Sequence, residues 1–141
     1  MVSSYLLDTN VLSEAARPAP DSRVLARLAE VEGNAAISAV TWHELRFGVR
    51  RLPPCRRRDA LEVFVSEVSA RFPVIPYDER AASWHAVERA RLEQAGFSRA
   101  FADGQIAATA ATNALVLVTR NTADFAGFSG LMTENWWTNQ P

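Results

Sequence analysis

Hydrophobic residues in this chain fall into short unbroken runs, separated by longer stretches with helical spacing. The clearest run, "ALVLVT" at 114–119, is apolar and β-branched with no polar alternation, which suits a strand covered on both faces. Strands are predicted at Ser4–Leu7, Ala35–Ser38, Pro73–Pro76 and Leu115–Thr119, with a weaker one at Leu131–Trp136. Helices are predicted between them, over Asn10–Arg17, Asp21–Glu32, Thr41–Arg51, Asp59–Arg71, Asp78–Ala95 and Arg99–Thr112. Asp78 fits an N-cap and Gly96 a C-terminal stop. Alternating β and α elements predict an α/β fold, a three-layer α/β/α sandwich with a mostly parallel sheet. Residues 1–141 read as one domain, with no repeat, low-complexity tract or long linker.

Ligands of open parallel sheets bind beyond the carboxyl ends of the strands. Four acids are predicted to lie at strand ends or early in the helices beside them. Asp8 ends the run "SYLLDTN", where a buried carboxylate is costly unless something pairs with it. It could cap the following helix, although Thr9 and Asn10 could do so without it. Glu44 lies one turn into the helix after the second strand, where Thr41-x-x-Glu44 also fits a capping box. Asp103 shares a helical face with Ile106, Ala107 and Ala110. A helix dipole does not account for an acid turned inward with that apolar stripe. Asp124 follows the fourth strand, with Asn121 nearer the strand end, and either could serve in a turn. Four converging carboxylates would repel one another, a conflict that a hard divalent cation removes. Mg²⁺ and Mn²⁺ prefer oxygen ligands and support phosphodiester cleavage.

With those acids in place, four motifs in order and spacing, "YLLDTNVLSE", "ISAVTWHELRFG", "ADGQIAATA" and "LVTRNTADF", resemble the PIN-domain family. The closest likeness is to VapC-type ribonuclease toxins of toxin–antitoxin pairs and their Fit-like relatives, down to a closing "TENWW". The resemblance implies a Rossmann-like PIN fold and a metal-dependent endoribonuclease that hydrolyses RNA phosphodiesters by metal-activated water. It implies that Asp8, Glu44, Asp103 and Asp124 hold one or two Mg²⁺ or Mn²⁺ ions and serve as the catalytic set. Some relatives carry an acid where Asn121 stands; this chain has its acid at Asp124, as the Fit-like subgroup does. Asn121 and Thr9 take supporting roles, and Arg46 is a candidate phosphate contact. A homodimer and an inhibitory antitoxin that inserts into the acidic cleft are further implications, with DNA reached only through the antitoxin.

Composition changes this picture little. All 15 basic residues are arginine, a planar fork suited to phosphate. With the four site acids set aside, 12 acids face those 15 arginines, a mildly basic remainder compatible with RNA. The run "RRLPPCRRR" at 50–58 reads as a solvated loop joining two helices. No window has the roughly 18 unbroken apolar residues of a membrane span, and the start lacks a signal-peptide pattern, so a cytoplasmic location is expected. The single Cys55 rules out an internal disulfide and reads as inert. His43 and His85 lack metal-ligand spacing and read as structural; Trp42, Trp84, Trp136 and Trp137 read as core or interface residues. Two rival functions are aspartyl phosphotransfer on Asp8 and a non-catalytic regulatory role with an antitoxin on DNA. The first wants an acid where Asn10 stands and a lysine that the chain lacks.

Overall fold

The strand runs pair side by side into a five-stranded sheet of order β3-β2-β1-β4-β5, every pairing parallel. The strands are β1 (Tyr5–Leu7), β2 (Ala35–Ser38), β3 (Val74–Ile75), β4 (Val116–Val118) and β5 (Thr133–Glu134). The helices are α1 (Thr9–Ala15), α2 (Ser22–Val31), α3 (Ala39–Arg50), α4 (Arg56–Arg71), α5 (Glu79–Gln94) and α6 (Phe101–Thr112). These elements come from a computed structural model that describes residues 4–138; the expected domain's ends, 1–3 and 139–141, lie outside the described residues.

The central strands β1, β2 and β4 are largely apolar because they are covered on both faces, whereas the edge strands β3 and β5 are partly exposed and β5 is polar. Leu6, Ala36 and Leu117 face one core with Ile106, Ala107 and Ala110 of α6 and Leu92 of α5. Their neighbours Leu7, Ile37 and Val118 face a second core with residues of α1 to α4, including Val11, Leu45 and Val65. The three-layer α/β/α sandwich expected from the sequence is therefore the architecture found. Trp136 and Trp137 are buried in the second core, Trp136 edge-on to Tyr5 at 6.1 Å between ring centroids. Trp42 packs against that same core, and Trp84 lies on Phe128.

Several boundaries differ from the sequence expectations. Helix α3 starts at Ala39 rather than Thr41, because Ser38 is the cap and its hydroxyl accepts from the Thr41 N–H. The capping box expected at Thr41 and Glu44 is thereby replaced, and Glu44 is left for another partner. Helix α4 starts at Arg56 rather than Asp59, with Cys55 as its N-cap and the thiol accepting from Arg58 N–H at 3.4 Å. Arg56, Arg57 and Arg58 thus form the first turn of a helix rather than part of a loop. The fifth strand is confined to Thr133–Glu134 within the expected 131–136. Asp78 caps α5 as expected, and Gly96 follows it at φ +88°. No described helix is long and apolar enough to cross a membrane.

Candidate active site

The strand order reverses direction at β1, with β2 on one side and β4 on the other, so the crevice beyond those strand ends is where a ligand is expected. Register decides what meets there. Leu7 pairs with Val118, so the next residues along each strand, Asp8 and Thr119, emerge together. Thr119 Oγ1 donates to Asp8 Oδ2 at 2.8 Å. Asn10 bridges the same strand ends: its amide donates to Asp8 Oδ2 at 3.3 Å, and its Oδ1 accepts from Arg120 N–H at 3.1 Å. Asp8 Oδ1 accepts from the Thr9 N–H at 2.8 Å, which makes Asp8 the N-cap of α1. The cap is thus Asp8 itself, and the helix begins at Thr9 rather than Asn10.

Burial drives the Asp8 carboxyl upward from its ordinary value, and nearby Glu44 adds to the rise. The hydrogen bonds from Thr119, Thr9 and Asn10 pull it back. Glu44 projects from the second turn of α3, and Thr9 Oγ1 donates to its Oε2 at 2.7 Å. The hydroxyl beside the first acid therefore links it to the second.

Asp103 lies in the first turn of α6, half-buried. The buried alanines 107, 108 and 110 let this helix sit close to the sheet and bring its first turn to the strand ends. Its carboxyl is pushed up to about 6, first by burial and then by negative charge from Asp124, Asp8 and Glu44; Arg99 opposes them. Four acids from four separate segments thus share one electrostatic environment. Asp124 sits in a short 3₁₀ turn (Thr122–Phe125) anchored by buried Phe125. Asn121 begins that turn, and its N–H donates to Thr119 Oγ1 at 3.1 Å. The acids interact at charge–charge range, and among the described residues no three acidic, histidine or cysteine side chains form a closed metal cage. The donor set is all oxygen, with two carboxyls driven upward by burial and mutual repulsion, and that chemistry fits a hard divalent ion.

The remaining candidates lie elsewhere. Arg46 pairs with Glu62 of α4 at 3.5 Å and lies over the Trp42 ring. His43 is exposed and stacked on Phe47. His85 is buried, its Nδ1 hydrogen-bonded to the Tyr77 hydroxyl at 2.8 Å. Thr119 and Arg99 surround the acids and were not singled out by sequence; Asn10, read there as a possible cap, stands with them. The only sign of Thr119 was its place at the end of the strongest strand. A groove of about 790 Å³ leads from Thr9 and Glu44 between α1, α3 and α4, with Arg17, Arg51 and Arg57 along it.

Residues 5–130 match the PIN domain, and the chain belongs to that family. It is 39% identical over 124 residues to Toxin FitB of Neisseria gonorrhoeae, covering 85% of this chain and 89% of that protein. It is 37% identical over 137 residues to VapC ribonuclease Y4jK of Sinorhizobium fredii, covering 94% and 96%. The crystal structure of FitAcB from Neisseria gonorrhoeae matches with a TM-score of 0.87 at 36% identity, over 94% of this chain and 98% of that one. VapBC2 from Rickettsia felis, solved on a DNA fragment from its promoter, matches with a TM-score of 0.82 at 28% identity, over 96% and 99%.

Proposed function

We propose that this chain is a metal-dependent endoribonuclease, the toxin of a VapBC-type toxin–antitoxin pair. The observation that carries the reading is the meeting of carboxylates beyond the ends of β1 and β4, with Asp8 and Glu44 joined through Thr9 and Asp103 within charge range of Asp124, Asp8 and Glu44. Asp8, Glu44, Asp103 and Asp124 would hold Mg²⁺ or Mn²⁺, as one or two ions. Such an ion supplies Lewis-acid stabilisation of developing charge and activation of water.

The chain's own residues orient the acids. Thr119 and Asn10 fix one oxygen of Asp8, the Thr9 N–H fixes the other, and the Thr9 hydroxyl sets Glu44. No side chain is required to form a covalent intermediate. The phosphotransfer alternative fits poorly, because the position two residues after Asp8 is Asn10, whose amide bridges β1 to β4, and the chain has no lysine. Arg17, Arg51 and Arg57 along the groove offer phosphate contacts for an RNA strand approaching Glu44.

Relatives named as a toxin and a VapC ribonuclease support this reading, and the solved VapBC2 complex supports an antitoxin as partner. A homodimer and a cytoplasmic location complete the proposal. That DNA-bound complex also favours a second role, regulation of a promoter through the antitoxin, which is compatible with the first. The test is cleavage of total cellular RNA by antitoxin-free protein with Mn²⁺, with EDTA, and with the Asp103→Asn variant. Discrete fragments that vanish in both controls are expected. Equal cleavage by Asp103→Asn, or none by folded wild type, overturns the catalytic reading.

A further inference from the structure

Arg99 stands four residues before Asp103, in the segment that leads into α6. Its Nη1 donates to the Ala123 carbonyl at 3.3 Å and its Nη2 to the Ala126 carbonyl at 2.7 Å. Those two carbonyls bracket Asp124. One planar guanidinium therefore holds both ends of the turn that carries this acid, a fork that a lysine ammonium does not reproduce. The same positive charge acts on Asp103 against the three acids around it. Arg99 Nε is buried with no hydrogen-bond partner. Burying a donor unpaired costs stability, a cost that an arginine lying on the surface avoids.

From this geometry we propose that Arg99 is a positioning residue. It ties the start of α6 to the turn after β4 and so fixes how Asp103 and Asp124 stand relative to one another. The inference rests on the reading of these acids as an ion site. No polar side chain of the first three motif segments performs this task. The first two acids, Asp8 and Glu44, are joined by Thr9, and the last two by Arg99 acting through backbone.

The experiment compares full-length wild type, Arg99→Ala, Arg99→Lys and Asp103→Asn. Amide hydrogen exchange is measured on metal-free protein, and Mn²⁺ affinity by calorimetry. Arg99→Ala is expected to speed exchange in residues 122–126 by roughly tenfold, as loss of two hydrogen bonds implies, with the β1 and β4 amides still protected. Its Mn²⁺ Kd is expected to rise about tenfold, as for lost supporting contacts around a metal site. Arg99→Lys keeps the charge but not the fork and is expected to stay closer to Arg99→Ala than to wild type. A merely structural arginine would lower Tm and leave the affinity of the folded protein unchanged. Full recovery in Arg99→Lys overturns the clasp, as does wild-type affinity in Arg99→Ala while Asp103→Asn has lost Mn²⁺. If Asp103→Asn itself binds Mn²⁺ like wild type, the ion-site reading is overturned and this proposal with it. Should Arg99→Ala fail to fold, Arg99→Lys carries the same comparison.

Discussion

Thr119 Oγ1 donates to Asp8 Oδ2 at 2.8 Å across 111 positions of sequence, and both side chains are buried at the junction of β1 and β4. Thr119 also accepts from the Asn121 N–H, so one hydroxyl joins the first acid to the turn that carries the fourth. Replacing it by valine keeps the volume near constant but leaves a buried carboxylate short of a donor and an N–H short of an acceptor. Thr119→Val is expected to lose about 1–3 kcal/mol of stability in urea unfolding, and Thr119→Ser much less. Equal stability of Thr119→Val and wild type would show that the bond contributes nothing.

Asp103 sets a pH dependence whose sign follows from its direction. Its carboxyl rises from 3.8 to about 6 on folding, so between those values the folded protein binds more protons than the unfolded. Stability is therefore highest below this window, falls as pH rises through it, and stays reduced above. Asp103→Asn removes the charge and is expected to stabilise the metal-free protein at pH 7.5 by on the order of 1 kcal/mol, allowing for solvent screening of a half-exposed group. At pH 4 the gain should vanish. Thermal melts of both proteins at the two pH values, with EDTA present, check this; a stabilisation independent of pH would reject it.

The hydroxyl of Thr9 is the contact between the first and second acids, 2.7 Å from Glu44 Oε2. Thr9→Val leaves Glu44 free to rotate, while Thr9→Ser keeps the bond. Under the ion-site reading, Thr9→Val should weaken Mn²⁺ binding about tenfold, with Thr9→Ser near wild type. Calorimetry on the two variants decides it, and equal loss in both would point to packing of the methyl group instead.

How much of this was legible in sequence depends on the range of each interaction. Asp8, Glu44 and Asp103 could be placed because the strand runs and helical spacing are local signals, and each acid lies just beyond one. Thr119 could not be paired with Asp8, because that contact needs the order of strands in the sheet, which a strand run does not encode. Helix starts were misplaced where two capping residues competed: Ser38 prevailed over Thr41, and Asp8 over Thr9 and Asn10. Cys55 escaped notice as a cap because a thiol is a weak acceptor and thus an unusual choice for that position. Arg99 looked like any other arginine in a chain with fifteen, since its fork binds backbone rather than a charged partner.

Gly104, directly after Asp103, offers a sharp test of how α6 is seated. A Cβ at this position would lie 2.1 Å from His85 Nε2, far inside contact distance. The imidazole has little room to yield, because its Nδ1 bonds the Tyr77 hydroxyl and Phe101 packs on it at 4.9 Å between centroids. Burial, with some help from Arg89, also lowers the His85 pKa, which favours the neutral ring. In an unobstructed helix, glycine to alanine adds roughly 1 kcal/mol of stability. Here Gly104→Ala is expected to cost about 1–3 kcal/mol through overpacking. His85→Ala alone costs stability by leaving a cavity, yet it vacates the space the new methyl needs. In the His85→Ala background, Gly104→Ala should therefore turn neutral or stabilising, a reversal of sign that a double-mutant cycle detects directly. If the two changes simply add, the ring does not set the seat of α6, and the helix is held at its depth by the alanine stripe alone.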